Sequence, residues 1–297
     1  MTHTFTAMNV TIMSHGLSFE QERKLKAMFR GFEERASRFI PGNPVDELNQ
    51  VPADVPVFLD ATIADLLAKS LILTRKVGYR VNPFMGRSMK AIGYTSSFHE
   101  SYVPEMSGEP IRGFTYEPME WLTKEWIMKL EDFHFDFGGF GKGYIADRAR
   151  EMLTREGVTD ALVNAGGDLV AIGRQRVGIG HPKLPGKDMI KLVIEDLAMA
   201  TSGIHHRRWS HEGKDYHHIL NGRTGEVATS DVVQSTVIAS SAMEAEVVAK
   251  LFCILPYEEA KREASKFPDA AYFVYLDDDR VAAGGNKGLY SAMEVAG

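Results

Sequence analysis

Over residues 19–39 apolar side chains fall near helical spacing (Leu25, Met28, Phe29, Phe32, Ala36) among charged ones, which predicts an amphipathic helix. Pro41-Gly42-Asn43-Pro44 stops it. A second helix is predicted over 61–77, with Ile63, Leu66, Leu67, Leu71 and Leu73 on its buried side and Gly78 as its closing glycine. Further helices are predicted over 142–156 (Ile145, Ala149, Met152 and Leu153 inward, Gly157 at the end), over 241–255 up to Pro256, and over 258–266. Loose alternation predicts a strand over 5–13, and apolar runs predict strands over 161–164, 169–172, 191–194, 233–239 and 271–276. Residues 121–130 fit a short helix or a strand, and the pattern leaves both open. Residues 95–118, rich in Gly, Pro, Ser and Glu, read as a loop. The elements mix without strict βαβ alternation, so the expected class is α+β, with mixed sheets and packed helices.

The chain has 297 residues, 44% of them hydrophobic and 25% charged, enough for one large domain or two intimately associated lobes. No internal repeat or low-complexity tract divides it, and residues 1–297 are expected to form a single domain. The net charge of −6 argues against non-specific nucleic-acid binding, which needs a basic face. The first residues lack the basic and apolar regions of a secretory signal, and no stretch has the ~18 apolar residues of a membrane span. A cytoplasmic protein is expected. Cys253 is the only cysteine, so no intrachain disulfide can form.

Chemistry concentrates in four segments. Asp136-Phe-Gly-Gly-Phe-Gly-Lys-Gly-Tyr144 runs into a predicted helix that contains Asp147. Its glycines would let main chain approach a ligand, and a helix start with free N–H groups and Lys142 beside it suits a pyrophosphate. The spacing is neither G-x-G-x-x-G nor a Walker loop, so a plain glycine-rich turn remains open. Asn164-Ala-Gly-Gly-Asp168 joins two predicted strands. Ala200-Thr-Ser-Gly203 follows, and then Tyr216-His-His-Ile-Leu-Asn-Gly-Arg-Thr-Gly225.

In this order the four segments resemble the flavin transferase family (ApbE, FAD:protein FMN transferase). Upstream, Ser37-Arg-Phe-x-Pro, Glu47-Leu-Asn49, Gly78-Tyr-Arg-Val-Asn-Pro83 and Met8-Asn-Val10 are similar to further family segments, so the resemblance runs from about residue 8 to about 255. It implies an ApbE-like fold, FAD as substrate and a Mg²⁺-dependent transfer of FMN through a phosphoester bond to a Thr or Ser of a target protein, with release of AMP. Alternatives are an FAD pyrophosphatase and a non-catalytic FAD-binding protein. The resemblance places Met8, Phe39, Arg80, Val81, Asn82, Asp136, Lys142 and Ile219 at flavin-contacting positions. It places the metal at Gly139 (carbonyl), Glu246, Ala249 (carbonyl) and Lys250. Lys142 and His218 are the candidate catalytic residues.

The chain also departs from the pattern. Where the family has A-D-A-L-A-T, it reads Ala245-Glu-Val-Val-Ala-Lys250. Asp becomes the longer Glu246, and Thr becomes Lys250, whose ammonium has no lone pair for a metal. Glu246 and Lys250 also have the spacing of a helical ion pair. Asn82 replaces an Asp, and Asn9 and Val10 replace a Gly-Thr. His205, His206, His211, His217 and His218 lack the spacing or cysteine partners of a zinc site. Cys253, in an apolar helical run, is expected to be a buried, inert thiol. Trp121, Trp126 and Trp209 are expected to pack, with a place beside the flavin ring as the alternative.

Overall fold

The structure, a computed structural model, describes residues 2–98, 102–205 and 207–295, apart from the side chains at 292, 293 and 295. It is α+β, as expected. Its contacts divide it into two compact units, Met1–Phe29 with Lys142–His205 and Thr229–Gly297, and Arg30–Gly141 with His206–Ala228.

The first unit is built on an eight-stranded sheet. Its strands run in the order Thr2–Ala7, Val10–His15, Ala161–Ala165, Asp168–Ile172, Ala198–Gly203, Val232–Ala239, Ala271–Leu276 and Val281–Gly285, each antiparallel to its neighbours. Val232–Ala239 and Ala271–Leu276 are buried at every residue. One face carries the Ala242–Ile254 helix, packed on Ala198–Gly203 and Val232–Ala239. The other meets a three-stranded sheet of Arg174–Gly180, Asp188–Glu195 and Ser291–Val295 through Leu169, Met199, Ile238 and Phe273 on one side and Val177, Ile179, Leu192 and Ile194 on the other. Strands covered on both faces lose the apolar–polar alternation, which is why these read as continuous apolar runs.

The strand expected over 5–13 is instead a hairpin. Met8 and Asn9 form its two-residue turn with φ of 54° and 57°. Positive φ at both central residues is the turn whose twist matches the flanking strands, and Asn tolerates it better than most. The Ala-Gly-Gly-Asp connection is a second such turn, with Gly166 at 67° and Gly167 at 100°.

In the second unit Pro41-Gly-Asn-Pro44 both stops one helix and starts another. The Phe19–Ala36 helix ends before it, three residues short of the expected limit. Asn43 then caps Pro44–Gln50, its Oδ1 accepting from Asp46 N at 2.8 Å. The Ala61–Lys76 helix is capped by Asp60, whose Oδ1 accepts from Thr62 N at 2.9 Å, and is closed by Gly78 and Tyr79 at φ of 59° and 65°. Residues 121–130 resolve as strands: Met119–Trp121 and Trp126–Lys129 pair, and Pro56–Phe58 adds a third. Arg208–His211 and Lys214–His217 make a further hairpin through Glu212-Gly213. Phe84, Phe114, Phe133, Phe135 and Phe137 form an aromatic core. The 95–118 stretch has no helix or strand among its described residues, 99–101 lying outside them.

Candidate functional site

Lys142 is the second residue of the Gly141–Arg155 helix, and Glu246 and Lys250 are one turn apart on Ala242–Ile254. Asp168 opens the strand after the Gly166-Gly167 turn. The fold brings these four together. Lys142 Nζ donates to Glu246 Oε1 at 2.7 Å and contacts Asp168 Oδ2. Lys250 Nζ donates to the same Glu246 Oε1 at 2.8 Å. Gly143 N donates to Glu246 Oε2 at 2.9 Å.

The layering of this cluster matters. Glu246 is fully buried and Asp168 is 1% exposed, whereas the Lys142 and Lys250 side chains keep 18% and 12% of their surface. Carboxylates lie beneath and ammoniums nearer solvent. Burial alone would raise the Glu246 carboxyl, but the Lys142 and Lys250 ammoniums outweigh it and hold the group down to about 2. Burial would depress Lys142; Asp168 and Glu246 reverse that and hold it above the ordinary lysine range.

Among the glycines around Lys142, Gly143 has a packing role of its own. None of Gly138, Gly139, Gly141 and Gly143 has positive φ. At Gly143 a Cβ would stand 2.5 Å from Met243 Cα, so this glycine permits a close helix crossing. Of the N–H groups at this helix start, that of Gly143 is taken by Glu246, and Gly138 N, in the turn ahead, donates to Asp136 Oδ1 at 2.6 Å. Asp147 clamps the same crossing: its Oδ1 accepts from Ala242 N at 2.8 Å, and its Oδ2 from Ser241 Oγ at 2.7 Å and Met243 N at 3.0 Å. Ala-Thr-Ser-Gly, not foreseen as a strand, is the end of Ala198–Gly203, with Thr201 Oγ1 2.8 Å from Thr236 Oγ1. Met8 sits in the left-handed turn, and Val10 packs where a Cβ on Gly166 would meet it at 2.7 Å.

In the second unit Asp136 is 8% exposed and its Oδ2 accepts from Arg38 Nε at 2.7 Å. Arg38 donates through Nη2 to Tyr94 O at 2.8 Å and lies over the rings of Phe39 and Tyr94, at 4.1 and 4.9 Å from their centroids. Its buried Nη1 has no hydrogen-bond partner among the described residues. Arg38 was not singled out from the sequence; the signal that could have found it is a basic residue between Ser37 and the apolar Phe39-Ile40 pair. Asn82 is 5% exposed, and its side chain is engaged with main chain: Nδ2 donates to Tyr79 O and Gly222 O, both at 2.9 Å, and Oδ1 accepts from Phe84 N at 3.0 Å. It ties the 78–83 segment to the 221–225 turn. An Asp has no such donors, which gives Asn here a structural reason. Val81 and Ile219 are buried, and Arg80, next to Val81 in sequence, is half-buried; Gly139 lies in the turn ahead of Gly141. His218 follows His217, which burial holds below the ordinary imidazole range.

The model of the ApbE family matches residues 4–274. The chain belongs to the ApbE family. Relatives named FAD:protein FMN transferase include one from Treponema pallidum (strain Nichols), 25% identical over 260 residues, 80% of this chain and 71% of the relative. Another, from Klebsiella pneumoniae (strain 342), is 26% identical over 258 residues, covering 84% and 80%. A third, from Chlamydia pneumoniae, is 27% identical over 282 residues, covering 90% and 87%. Among solved structures, the ApbE protein from Thermotoga maritima MSB8 superposes with a TM-score of 0.82 at 22% identity, covering 95% of this chain and 96% of that one. Flavin Transferase ApbE from Vibrio cholerae gives 0.77 at 17%, covering 97% of each. These confirm the ApbE-like fold.

Within this ApbE chain, the positions expected to hold Mg²⁺ do not form a site suited to it. Mg²⁺ takes a near-octahedral set of oxygen lone pairs. Here both Glu246 oxygens already accept hydrogen bonds, two of them from ammoniums. Lys250 offers no lone pair, and the Ala249 carbonyl lies inside a helix. Among the described residues no three of His, Cys, Asp and Glu gather as a metal-binding group. That holds for His205, His211, His217 and His218; His206 lies outside the described residues. Cys253 is buried, its Sγ 3.5 Å from Ser202 O, and burial pushes its thiol up to about 12. Trp209 packs among Tyr94, Tyr102 and Tyr216 with Nε1 donating to Ile92 O, whereas Trp126 is 42% exposed and does not serve the core. No helix among the described residues is long and apolar enough to cross a membrane.

Proposed function

We propose that this chain binds FAD and transfers its FMN half to a Thr or Ser hydroxyl of a target protein. The hydroxyl oxygen bonds to the FMN phosphorus, the bond from that phosphorus to the AMP oxygen breaks, AMP leaves, and the hydroxyl proton passes to a base or to water. Phosphoryl transfer asks a protein to hold the groups in line and to neutralise the charge that develops on phosphate oxygens.

One observation carries this reading. Three motifs of a family whose named relatives are FAD:protein FMN transferases converge on Lys142, held charged by Asp168 and Glu246. Lys142 supplies a fixed positive charge to the diphosphate. Met8 in the first unit, and Phe39, Arg80, Val81 and Ile219 in the second, remain the proposed flavin neighbours, with Asn82 and Asp136 shaping main chain within the second unit. His218 is the proposed proton-transfer group. Mg²⁺, where bound, would supply charge neutralisation, but Gly139, Glu246, Ala249 and Lys250 do not suit it as they stand. The hydrogen bonds that close Glu246 favour a second reading, an FAD-binding protein without turnover.

Incubation with FAD and a Thr-containing acceptor peptide, followed by mass spectrometry, separates the outcomes. Covalent FMN on the peptide supports transfer. Free FMN and AMP with unmodified peptide show hydrolysis, and unchanged FAD in complex with protein shows a binder. Either of the last two removes transfer from the proposal.

A further inference from the structure

The Lys250 ammonium is the least expected part of the cluster. One buried carboxylate, Glu246, sits under two ammoniums that share a single oxygen, Oε1. Lys142 and the Gly143 N–H already serve that carboxylate, so Lys250 adds a second positive charge directly beside the first. Among the described residues Lys250 hydrogen-bonds to Glu246 only, which leaves two of its ammonium hydrogens for another acceptor. The i,i+4 spacing fixes Lys250 on the same helix face as Glu246. The Lys250 side chain keeps 12% of its surface, whereas the two carboxylate side chains are buried.

We propose that Lys250 and Lys142 together bind the diphosphate of FAD as a fixed pair of cations, and that this chain binds FAD without a divalent metal ion. The proposal rests on the FAD reading above and names how its charge is met. A diphosphate diester carries one negative charge on each phosphate, and two neighbouring ammoniums match that pattern. A divalent ion brought to the same place would meet two like charges, a Glu246 carboxylate with both oxygens hydrogen-bonded, and an Asp168 carboxylate buried against the Lys142 ammonium. A purely structural ion pair would need only one ammonium and would not care what ligand is present.

The test uses the whole wild-type chain and needs no variant to begin. FAD is titrated, by quenching of flavin fluorescence, in excess EDTA and in millimolar MgCl₂. The expected result is affinities within about twofold of each other. Mn²⁺ added without FAD, followed by electron paramagnetic resonance, should stay in its free aquo form. FAD affinity that rises about tenfold or more with Mg²⁺, or Mn²⁺ bound by the wild type, overturns the proposal while leaving FAD binding intact. No FAD binding in either buffer, with native circular dichroism, overturns the FAD reading itself and this proposal with it. Lys250→Thr should lose about tenfold in FAD affinity in EDTA, and Lys250→Arg should keep most of it. Unchanged affinity in a folded Lys250→Thr protein would assign the ammonium a structural role alone.

Discussion

Asn82 shows how a single buried amide can decide between two close residue types. Its Nδ2 faces two carbonyl oxygens, Tyr79 O and Gly222 O. Asn82→Asp would turn a carboxylate toward both and lose two hydrogen bonds, at a cost of about 3 kcal/mol. Urea unfolding should show the midpoint move down with little change in slope. His134 gives the pH counterpart. Burial, aided by the charges of Lys90 and Arg87, lowers its imidazole to about 4. The unfolded chain therefore takes up a proton between roughly pH 6.5 and 4 that the folded chain refuses. Its contribution to stability is complete above that window and is lost as the pH falls through it. In urea titrations at pH 7 and pH 5, His134→Gln should reduce the loss seen in the wild type.

At the scale of elements, the crossing of Gly141–Arg155 with Ala242–Ile254 depends on the missing side chain of Gly143. In an isolated helix Ala would be favoured over Gly by ~1 kcal/mol. Here the added methyl would press on the backbone of Met243 at 2.5 Å, and overpacking of about 1–3 kcal/mol outweighs the propensity. Gly143→Ala should lower the melting temperature. Asp147→Ala should destabilise the fold by about 1 kcal/mol, since it frees the Ala242 and Met243 N–H groups at the helix start. The helices were legible because their end signals and spacing are local: Gly78, Gly157 and Pro256 each mark an end that the structure keeps. Strands were less so. Arg174–Gly180 alternates buried and exposed, but with Gln175 and two glycines among its positions the period-two signal is faint. The Met8-Asn9 turn escaped notice because a strand period and a two-residue hairpin look alike when neither turn residue is glycine.

For the molecule as a whole, the order of motifs identified the family, and folding explains why they are ordered so. Lys142, Asp168 and Glu246 come from separate stretches and meet only when the sheet and its helices are complete. Their meeting was not legible from spacing, because Lys142 reaches Asp168 across 26 positions and Glu246 across 104, and neither contact follows a local period. Lys250 was legible as a departure, and the structure gives it a partner, Glu246. Under the proposed function, FAD at about a hundred times its Kd should stabilise the fold by about 2.7 kcal/mol. Thermal melts with and without FAD should show that increase equally in EDTA and in Mg²⁺.

The sealed thiol of Cys253 has a practical consequence. Being the only sulfhydryl in the chain and held protonated within the buried Ala242–Ile254 helix, it should stay silent toward an aromatic disulfide reagent while the protein is intact. Colour release then times how often this region opens, which makes the native chain its own clock for local unfolding, with no label to install.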